Sequence, residues 1–352
     1  NDMRAHPDWL VKGLRGLEEA PCTACRIMDW DGKHIDFNGS SLQYLGYALQ
    51  KDIGELVEEV TQEEKILFPC GGAMLVDRQT YLNMGGFDES FFALYVVVDL
   101  GWRLWLAGHE VSYTPESIVY HRSHSTFETQ TTAKMRYLMH RNALMTILKN
   151  YEEEMVHRVF PAALLLAIKR AVRCSGVRRE SFYLWEDVES KLESGDSGAQ
   201  VETLDALNHL VAVEDVLRML PDLMQKRRQV QQMRRRSDSE ILRLFEDPLR
   251  PIVEDRAYIT EESELLEVLG LSQVFDLSGY REYAAKLPDQ TNERVRELRI
   301  ELQGLEWVGT NALLHPPQPR TRSKLRKFFA AWRNSGLKQA ARLAWESYRR
   351  AT

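Results

Sequence analysis

The stretch that decides the fold runs from Pro69 to Thr126 and reads PCGGAMLVDRQTYLNMGGFDESFFALYVVVDLGWRLWLAGHEVSYTPESIVYHRSHST. Its first part, GGAMLVDRQTYLNMGGFD, predicts a buried strand, a short helix and a Gly-Gly turn. Periodic leucines then predict a helix from Val98 to Ala107. The following HEVSYTPESIVYH predicts two short strands, one on either side of Pro115. Strands alternating with helices in this way are typical of an α/β fold.

Outward from this stretch, the chain changes from an α/β pattern to a mostly helical one. Upstream, CRIMDWDGKHIDFNG has strand-like runs separated by turn signals at Asp31-Gly32 and Asn38-Gly39. Downstream of about Lys134, apolar residues recur at helical spacing through MRYLMHRNALMTILKNYEEEMVHRVFPAALLLAIKRAV. The polar ESGDSGAQ at 193–200 predicts a loop, and further helix follows it. The predicted fold class is therefore α/β followed by mostly α.

The composition narrows the class of protein. A chain of 352 residues is long enough for two or three domains, and its net charge of -6 argues against a dedicated nucleic-acid binder. Cys22 and Cys25 form a CxxC without the second CxxC of a zinc site, so both are expected to be small strand residues in a reducing cytoplasm. The longest apolar run of the helical half, Ala162 to Ile168, is far shorter than the ~20 residues that span a membrane.

Several motifs follow one another in a fixed order. They are Gly71 to Met74 (GGAM), Arg78, Gly85 to Glu89 (GGFDE), Asp99 with Arg103 to Gly108 (RLWLAG), Pro115, His121 and Arg141-Asn142. In order and spacing they resemble family 2 glycosyltransferases of the inverting, GT-A type, in particular the rhamnosyl- and galactofuranosyl-transferases. The resemblance covers about the first 170 residues. It implies a partial, Rossmann-like GT-A catalytic domain with a helical C-terminal region.

The same resemblance implies a reaction and a set of site residues. A sugar would pass from a nucleotide-sugar donor to a glycan or lipid-linked acceptor with inversion, in cell-envelope or exopolysaccharide synthesis. Such chemistry uses a carboxylate base and a divalent metal, Mg²⁺ or Mn²⁺, on the departing diphosphate. The implied residues are Asp88 and Asp99 as catalytic carboxylates, His121 as the later metal ligand, and Gly71, Gly72, Ala73, Trp102 and His124 as substrate contacts.

Each of these assignments has a structural alternative. His121 could be a strand-end histidine held by hydrogen bonds, and Asp88 could cap the following segment. Trp102 lies on a predicted helix, where tryptophan is more often a core residue. Asp99 could cap its helix or form an ion pair with Arg103 four residues later.

Two departures from the family pattern bear on activity. The ED-x-D segment reads Val96-Val97-Val98-Asp99, so Val97 stands at the usual position of the general base, and an isopropyl group accepts no proton. The nucleotide-binding half with its DxD metal ligands is expected ahead of Asn1. The alternative function is therefore a catalytically inactive, glycosyltransferase-like scaffold or binding module.

Three regions are predicted along the chain. Residues 1–150 are the acceptor-side half of the GT-A domain, 151–250 a helical extension, and 251–352 a mixed region with a basic C-terminal helix. The last segment, Arg320 to Thr352, interleaves aromatic residues with many cations and a single acid, Glu346. This pattern predicts either an amphipathic helix on an anionic membrane surface or an exposed basic tail. The predicted location is cytoplasmic, and the first of these alternatives would place the chain at the inner face of the membrane. No nucleic-acid partner is predicted.

Overall fold

A computed structural model describes residues 2–58, 65–122, 132–175, 204–244 and 248–287, all within one compact unit. The strands are β1 (Met3–Ala5), β2 (Cys22–Asp29), β3 (Ile35–Phe37), β4 (Ser40–Leu42), β5 (Ala48–Gln50), β6 (Met74–Val76) and β7 (Val111–His121). The α-helices are α1 (Trp9–Glu19), α2 (Arg78–Asn83), α3 (Val96–Leu106), α4 (Thr132–Asn150), α5 (Glu153–Ser175), α6 (Leu204–Gln232), α7 (Asp238–Leu242), α8 (Arg256–Val268) and α9 (Leu277–Lys286). The predicted fold class, α/β followed by mostly helices, is confirmed.

A five-stranded mixed sheet organises the first part of the chain. Its order is β1-β7-β2-β3, with β6 also paired to β2. The central pair, β2 and β7, is parallel, whereas β1 runs antiparallel to β7. Strand β2 is buried along almost its whole length, and Cys22 and Cys25 are two of its fully buried side chains, as expected. Strands β4 and β5 form a separate two-stranded antiparallel sheet.

The prediction of two strands around Pro115 is wrong, because a single strand, β7, runs from Val111 to His121. The pairing register with β2 shifts between Cys25 and Arg26, so that residues 115–117 have no partner there. A proline cannot donate a backbone hydrogen bond, and an irregularity of this kind accommodates it inside a strand.

The strand, short helix, Gly-Gly turn and second helix predicted from Gly71 to Ala107 are all present, but the strand, β6, is half-buried and not buried, and the second helix, α3, runs from Val96 to Leu106. Strand β6 leads into α2, whose first turn is capped by Asp77, since its carboxylate accepts a hydrogen bond from the Thr80 N–H at 2.7 Å. Gly85 and Gly86 then form the turn with φ of 81° and 68°, a left-handed conformation that glycine adopts without strain.

The later helices pack on one another and, through the contact of α4 with α3, continue the core of the first part of the chain. Helix α6 lies against α4 and α5, and one hydrophobic cluster of buried residues extends from Cys22 to Ala284. Its members include Leu148, Val159 and Tyr258, which lie on different sides of the predicted boundaries at 150 and 250. The predicted loop at 193–200 and the basic segment 320–352 lie outside the described residues. Among the helices that the structure describes, none is long and apolar enough to cross a bilayer.

Candidate functional site

Acidic and imidazole groups gather at one edge of the sheet, where the parallel strands β2 and β7 both end. His121 is the last residue of β7 and is the register partner of Asp29 at the end of β2. Because β1 is antiparallel to β7, its first residues lie at the same edge, and Asp2 precedes it directly. The carboxyl ends of parallel strands are where α/β sheets commonly bind ligands.

His121 lies between two carboxylates. Its Nδ1 is 2.7 Å from the Asp36 Oδ2, and its Nε2 is 3.7 Å from the Asp2 Oδ2. The hydrogen bond with Asp36 raises the pKa of His121; burial opposes this, and the charges of Asp36 and Asp2 add to the rise. An imidazole that donates its Nδ1–H to Asp36 presents the Nε2 lone pair on the side of Asp2.

This arrangement has the form of a metal-binding histidine with its orienting carboxylate. Histidines that ligate metals usually donate their other ring N–H to a carboxylate or carbonyl, which fixes the ring and its tautomer. Asp36 is in the orienting position, and the His121 Nε2 lies on the side of Asp2. Among the described residues, no group of three or more His, Cys, Asp or Glu side chains is arranged to hold a metal.

An open strip of small residues adjoins this edge. Gly71 and Gly72 are exposed, while Ala73 is buried. A Cβ on Gly72 would lie 2.6 Å from the Met3 Cε, and a Cβ on Gly71 would lie 3.1 Å from the Val97 Cγ1. The strip thus runs from the start of β1, beside Asp2, to the first turn of α3. Only glycine leaves the backbone accessible between these two side chains.

Val97 follows a strained loop. Phe92, Leu94 and Tyr95, immediately before α3, have φ values of 62°, 59° and 56°. Non-glycine residues adopt this left-handed conformation at a cost of about 1–3 kcal/mol each, and such residues concentrate at functional sites. The half-buried Val97 side chain stands just beyond them, at the end of the glycine strip.

Arg141 and Asn142 hold this loop from α4. The Arg141 Nη2 donates to the carbonyl of Phe91 at 2.9 Å, and the Asn142 Nδ2 donates to the carbonyls of Phe91 and Ala93 at 3.1 and 2.9 Å. The Arg-Asn motif of the sequence is therefore a loop clamp, and its side chains face backbone carbonyls.

Asp88 ends the GGFD turn and is held by two lysines. Its carboxylate accepts hydrogen bonds from the Lys149 Nζ at 2.6 Å, the Lys226 Nζ at 2.9 Å and the Ser90 N–H at 3.0 Å. The last bond confirms the capping alternative. Burial alone raises the pKa of Asp88, but the lysine charges and hydrogen bonds outweigh it and lower that pKa well below its usual value.

Asp99 lies beneath the site and is completely buried. Its carboxylate pairs with Arg103 at 2.8 Å and with Lys149 at 2.9 Å, which confirms the expected pairing four residues along the helix. Arg103 also donates to the carbonyl of Gly86 at 2.7 Å, so Asp99 is connected to the Gly-Gly turn. With no exposed surface, Asp99 holds Arg103 and Lys149 in position within a buried ion-pair network.

Two further sequence assignments need comment. Trp102 does not contact substrate in this fold, because its side chain is fully buried and its ring packs against Tyr151 at a centroid distance of 4.8 Å. His124 lies outside the described residues. Sequence reasoning missed Asp2 and Asp36, and the only signal for Asp2 was its place directly before a short strand-like run.

Comparison with known proteins supports a glycosyltransferase-like chain. No family model matches the sequence. A segment of 65 residues is 42% identical to the N-acetylglucosaminyl-diphospho-decaprenol L-rhamnosyltransferase of Mycobacterium tuberculosis, in strains CDC 1551 / Oshkosh and ATCC 25618 / H37Rv. The match covers 18% of this chain and 21% of each relative, so the chain spans about a fifth of the length of these curated relatives.

A solved structure, that of GalNAc-T7 with UDP, GalNAc and Mn²⁺, aligns with a TM-score of 0.33 and 12% sequence identity. The alignment covers 46% of this chain and 33% of that one.

Proposed function

We propose that this chain carries the acceptor-side part of an inverting, family 2, GT-A glycosyltransferase that uses a nucleotide-sugar donor. The observation that carries the proposal is the Asp36–His121–Asp2 arrangement at the carboxyl edge of the sheet, next to the exposed Gly71-Gly72 strip. A divalent ion, when bound there, neutralises the negative charge that develops on a departing diphosphate.

Different residues of this chain bind the ion, orient the imidazole and leave room for the sugar. Asp2 and His121 hold the ion, and Asp36 fixes the imidazole that faces it. Gly71 and Gly72 leave room for a sugar ring to lie against the backbone. The expected acidic DxD ligands of the family complete the coordination.

The acceptor side is shaped by groups that are already neutralised. Asp88 is paired with two lysines, and Asp99 is buried and paired with Arg103. The lysines depress the pKa of Asp88, which makes it a weak general base at neutral pH, and Asp99 has no exposed surface. Neither aspartate therefore replaces the acid that the family places where this chain has Val97.

This observation favours a second candidate function, nucleotide-sugar binding without transfer. The two candidates differ only at Val97, whose isopropyl group ends the glycine strip. In the binding candidate, Asp2, His121 and the Gly71-Gly72 strip bind the nucleotide-sugar as in the enzyme, but the acceptor hydroxyl keeps its proton.

The acceptor that we propose is a glycan or lipid-linked sugar of the cell envelope. The name of the M. tuberculosis relatives, which includes diphospho-decaprenol, motivates this choice. A peripheral position at the inner face of a membrane would suit such an acceptor. Glycan-array binding, and co-sedimentation with vesicles carrying a polyprenyl-linked sugar, test the acceptor class.

Metal binding tests the proposal directly. We expect Mn²⁺ titration followed by electron paramagnetic resonance to show one site that His121→Ala abolishes. Asp36→Ala keeps the ligands but loses the orienting bond and should weaken binding about tenfold. His157→Ala is the matched control, because this side chain is 72% exposed on α5. Equal Mn²⁺ affinity in His121→Ala and His157→Ala would rule out an ion site at Asp2 and His121.

Release of nucleoside diphosphate separates the two candidates. Wild type and Val97→Asp are compared with a panel of nucleotide-sugars and glycan acceptors. Transfer by wild type supports the enzyme and excludes the binding module. Transfer by Val97→Asp alone supports a site that is inactive only because the general base is missing. Binding of nucleotide-sugar without transfer by either protein supports the binding module.

A further inference from the structure

Two histidines from different helices stack on each other in the core of the helical region. The imidazole rings of His140 on α4 and His209 on α6 have their centroids 3.9 Å apart, and both side chains are buried. A small cavity adjoins the pair, and its other walls are Tyr47, Arg170 and apolar side chains. The candidate site described above uses none of these groups.

The hydrogen bonds around His140 suit a neutral ring. The Arg170 Nη2 donates to the Tyr47 hydroxyl oxygen at 3.2 Å, and that oxygen lies 2.8 Å from the His140 Nδ1. Because a guanidinium only donates, the Tyr47 oxygen accepts from Arg170, and its own proton can be donated to the lone pair of the His140 Nδ1. A protonated His140 has no lone pair on Nδ1, so this donation is lost when the ring ionises.

His209 is likewise held as a neutral ring. Among the described residues its buried Nδ1 has no hydrogen-bond partner. Burial, then His140 and the cations Arg170 and Arg136, lower the pKa of His209, and burial with the same two arginines lowers the pKa of His140. A second proton on either ring would bring positive charge into buried surroundings beside these cations, which is strongly unfavourable.

Charged and titratable side chains surround the contact of α4, α5 and α6 on every side. Two of them are acids that already accept hydrogen bonds, Glu262 from the hydroxyls of Tyr44 and Tyr280 at 2.5 and 2.6 Å, and Asp215 from the hydroxyl of Tyr137. The cations Arg136 and Arg170 therefore set the electrostatic environment of the imidazoles. The full set is Arg136, Tyr137 and Arg141 on α4, Arg170 on α5, Asp215 on α6, Tyr258 and Glu262 on α8, and Tyr47 between β4 and β5.

Helix α6 is held differently on the two sides of Pro221. After it, Arg227 and Gln231 donate to backbone carbonyls of residues 148–151, at the end of α4, over distances from 2.5 to 3.4 Å. Before it, the contact with α4 includes the imidazole stack, and large apolar side chains such as Leu217 are exposed. Pro221 has no backbone N–H, so the turn that joins the two halves lacks one helical hydrogen bond.

We propose that the stacked imidazoles of His140 and His209 form an acid-sensitive latch, which releases the N-terminal half of α6 (residues 204–220) from α4, with Pro221 as the hinge. In the released state the rings reach water and titrate near the ordinary imidazole pKa of about 6.5. From pH 7.5 to pH 5.5 each imidazole that ionises only after release multiplies the released population by about ten, and two multiply it by about a hundred. The latch depends neither on the ion site nor on sugar transfer.

The latch is connected to the loop before α3. Asp215, in the N-terminal half of α6, accepts from the Tyr137 hydroxyl, and the Arg141 Nη1 lies 3.5 Å from that hydroxyl. Arg141 also donates to the carbonyl of Phe91. Release of this half of α6 therefore removes a partner from the residue next to the one that holds the loop before Val97.

Hydrogen exchange measured by mass spectrometry tests the latch in the full chain. Exchange is expressed as protection factors, which remove the intrinsic pH dependence of amide exchange. From pH 7.5 to pH 5.5 the protection of residues 206–217 should fall about a hundredfold, whereas that of residues 223–232 should change by less than about threefold. His209→Phe keeps an aromatic ring in the stack but cannot ionise, so the fall should shrink to about tenfold. His157→Phe, at an exposed histidine on α5, is the matched control and should behave as wild type.

Pro221→Ala tests the hinge. It restores the missing backbone N–H, so opening has to extend into residues 223–232, and the fall at residues 206–217 should be smaller than in wild type. Thermal melting at pH 7.5 verifies that each variant is folded, and the wild-type comparison of the two halves stands even if a variant is not.

Three results would overturn the latch. They are a wild-type protection of residues 206–217 that does not change with pH, an equal fall in both halves of α6, and a fall in His209→Phe as large as in wild type. A Pro221→Ala profile identical to that of wild type would overturn the hinge.

Discussion

The buried carboxylate of Asp99 offers the sharpest test of how the site is held together. Asp99 is fully buried and lies 2.8 Å from Arg103, 2.9 Å from Lys149 and 3.3 Å from the amide of Asn150. Asp99→Asn preserves the shape but removes the negative charge, which leaves two buried cations facing a neutral amide. Breaking a buried ion pair by neutralising one partner costs about 3–5 kcal/mol.

We expect the free energy of unfolding to fall by that amount, and the melting temperature to fall by about 6–20 °C. Urea unfolding followed by far-UV circular dichroism measures the difference. Asp222→Asn is the matched control, because this carboxylate is 57% exposed and pairs with Lys226 across one turn of α6. Exposed pairs of this kind contribute about 0.3–0.5 kcal/mol.

The comparison is decisive because both variants make the same chemical change. If Asp99→Asn and Asp222→Asn lose the same stability, within about 1 kcal/mol, the buried network does not hold the site, and the positioning role assigned to Asp99 is wrong. A loss in the expected range should be accompanied by weaker protection of the Gly86 turn in hydrogen exchange, since Arg103 donates to that carbonyl.

Three further predictions follow from the same contacts. Because the pKa of Asp88 is lowered in the native state, its charge stabilises the fold above the unfolded pKa of 3.8, and this contribution is lost at lower pH. The difference in the free energy of unfolding between wild type and Asp88→Asn should therefore become smaller from pH 7 to pH 3. A constant difference would contradict the ion pairs with lysine. Gly101→Ala places a Cβ 2.6 Å from the Leu67 carbonyl oxygen and should destabilise by about 1–3 kcal/mol in urea unfolding, whereas Gly279→Ala, with nothing within 4 Å, should be neutral or stabilising; equal effects would refute the close approach. Burial, and then the neighbouring His140, lower the pKa of His209. Wild type should therefore lose stability as the pH falls from 7 to 5 through the unfolded pKa of 6.5, and His209→Leu should lose less. Parallel curves of unfolding free energy against pH would be evidence against a buried neutral imidazole.

Local patterns determined a large part of this protein. The Asp-Gly turn after β2, the Gly85-Gly86 turn and the helices around it were predictable because turn chemistry and periodicity act over a few residues. The pairing of Asp99 with Arg103 was predictable for the same reason, since residues four apart meet on a helix. The capping role of Asp88 also needed only its immediate neighbours.

Tertiary structure decided everything that depends on strand pairing and on distant helices. Asp2, Asp36 and His121 converge because β7 pairs with β1 on one side and with β2 on the other, and β2 brings β3. These residues are far apart in sequence, so no local pattern relates them.

The same reason separates the expected roles of the acidic residues from the observed ones. A sequence shows that Asp88 and Asp99 are acids near a glycine turn, but it does not show that Lys149 from α4 lies between them or that Lys226 from α6 reaches Asp88. The sequence by itself determined the turns and helices around the site and the presence of Val97 at the usual position of the general base. Only packing decided which carboxylates are neutralised and which face an open edge, because burial and charge pairing are properties of the folded chain.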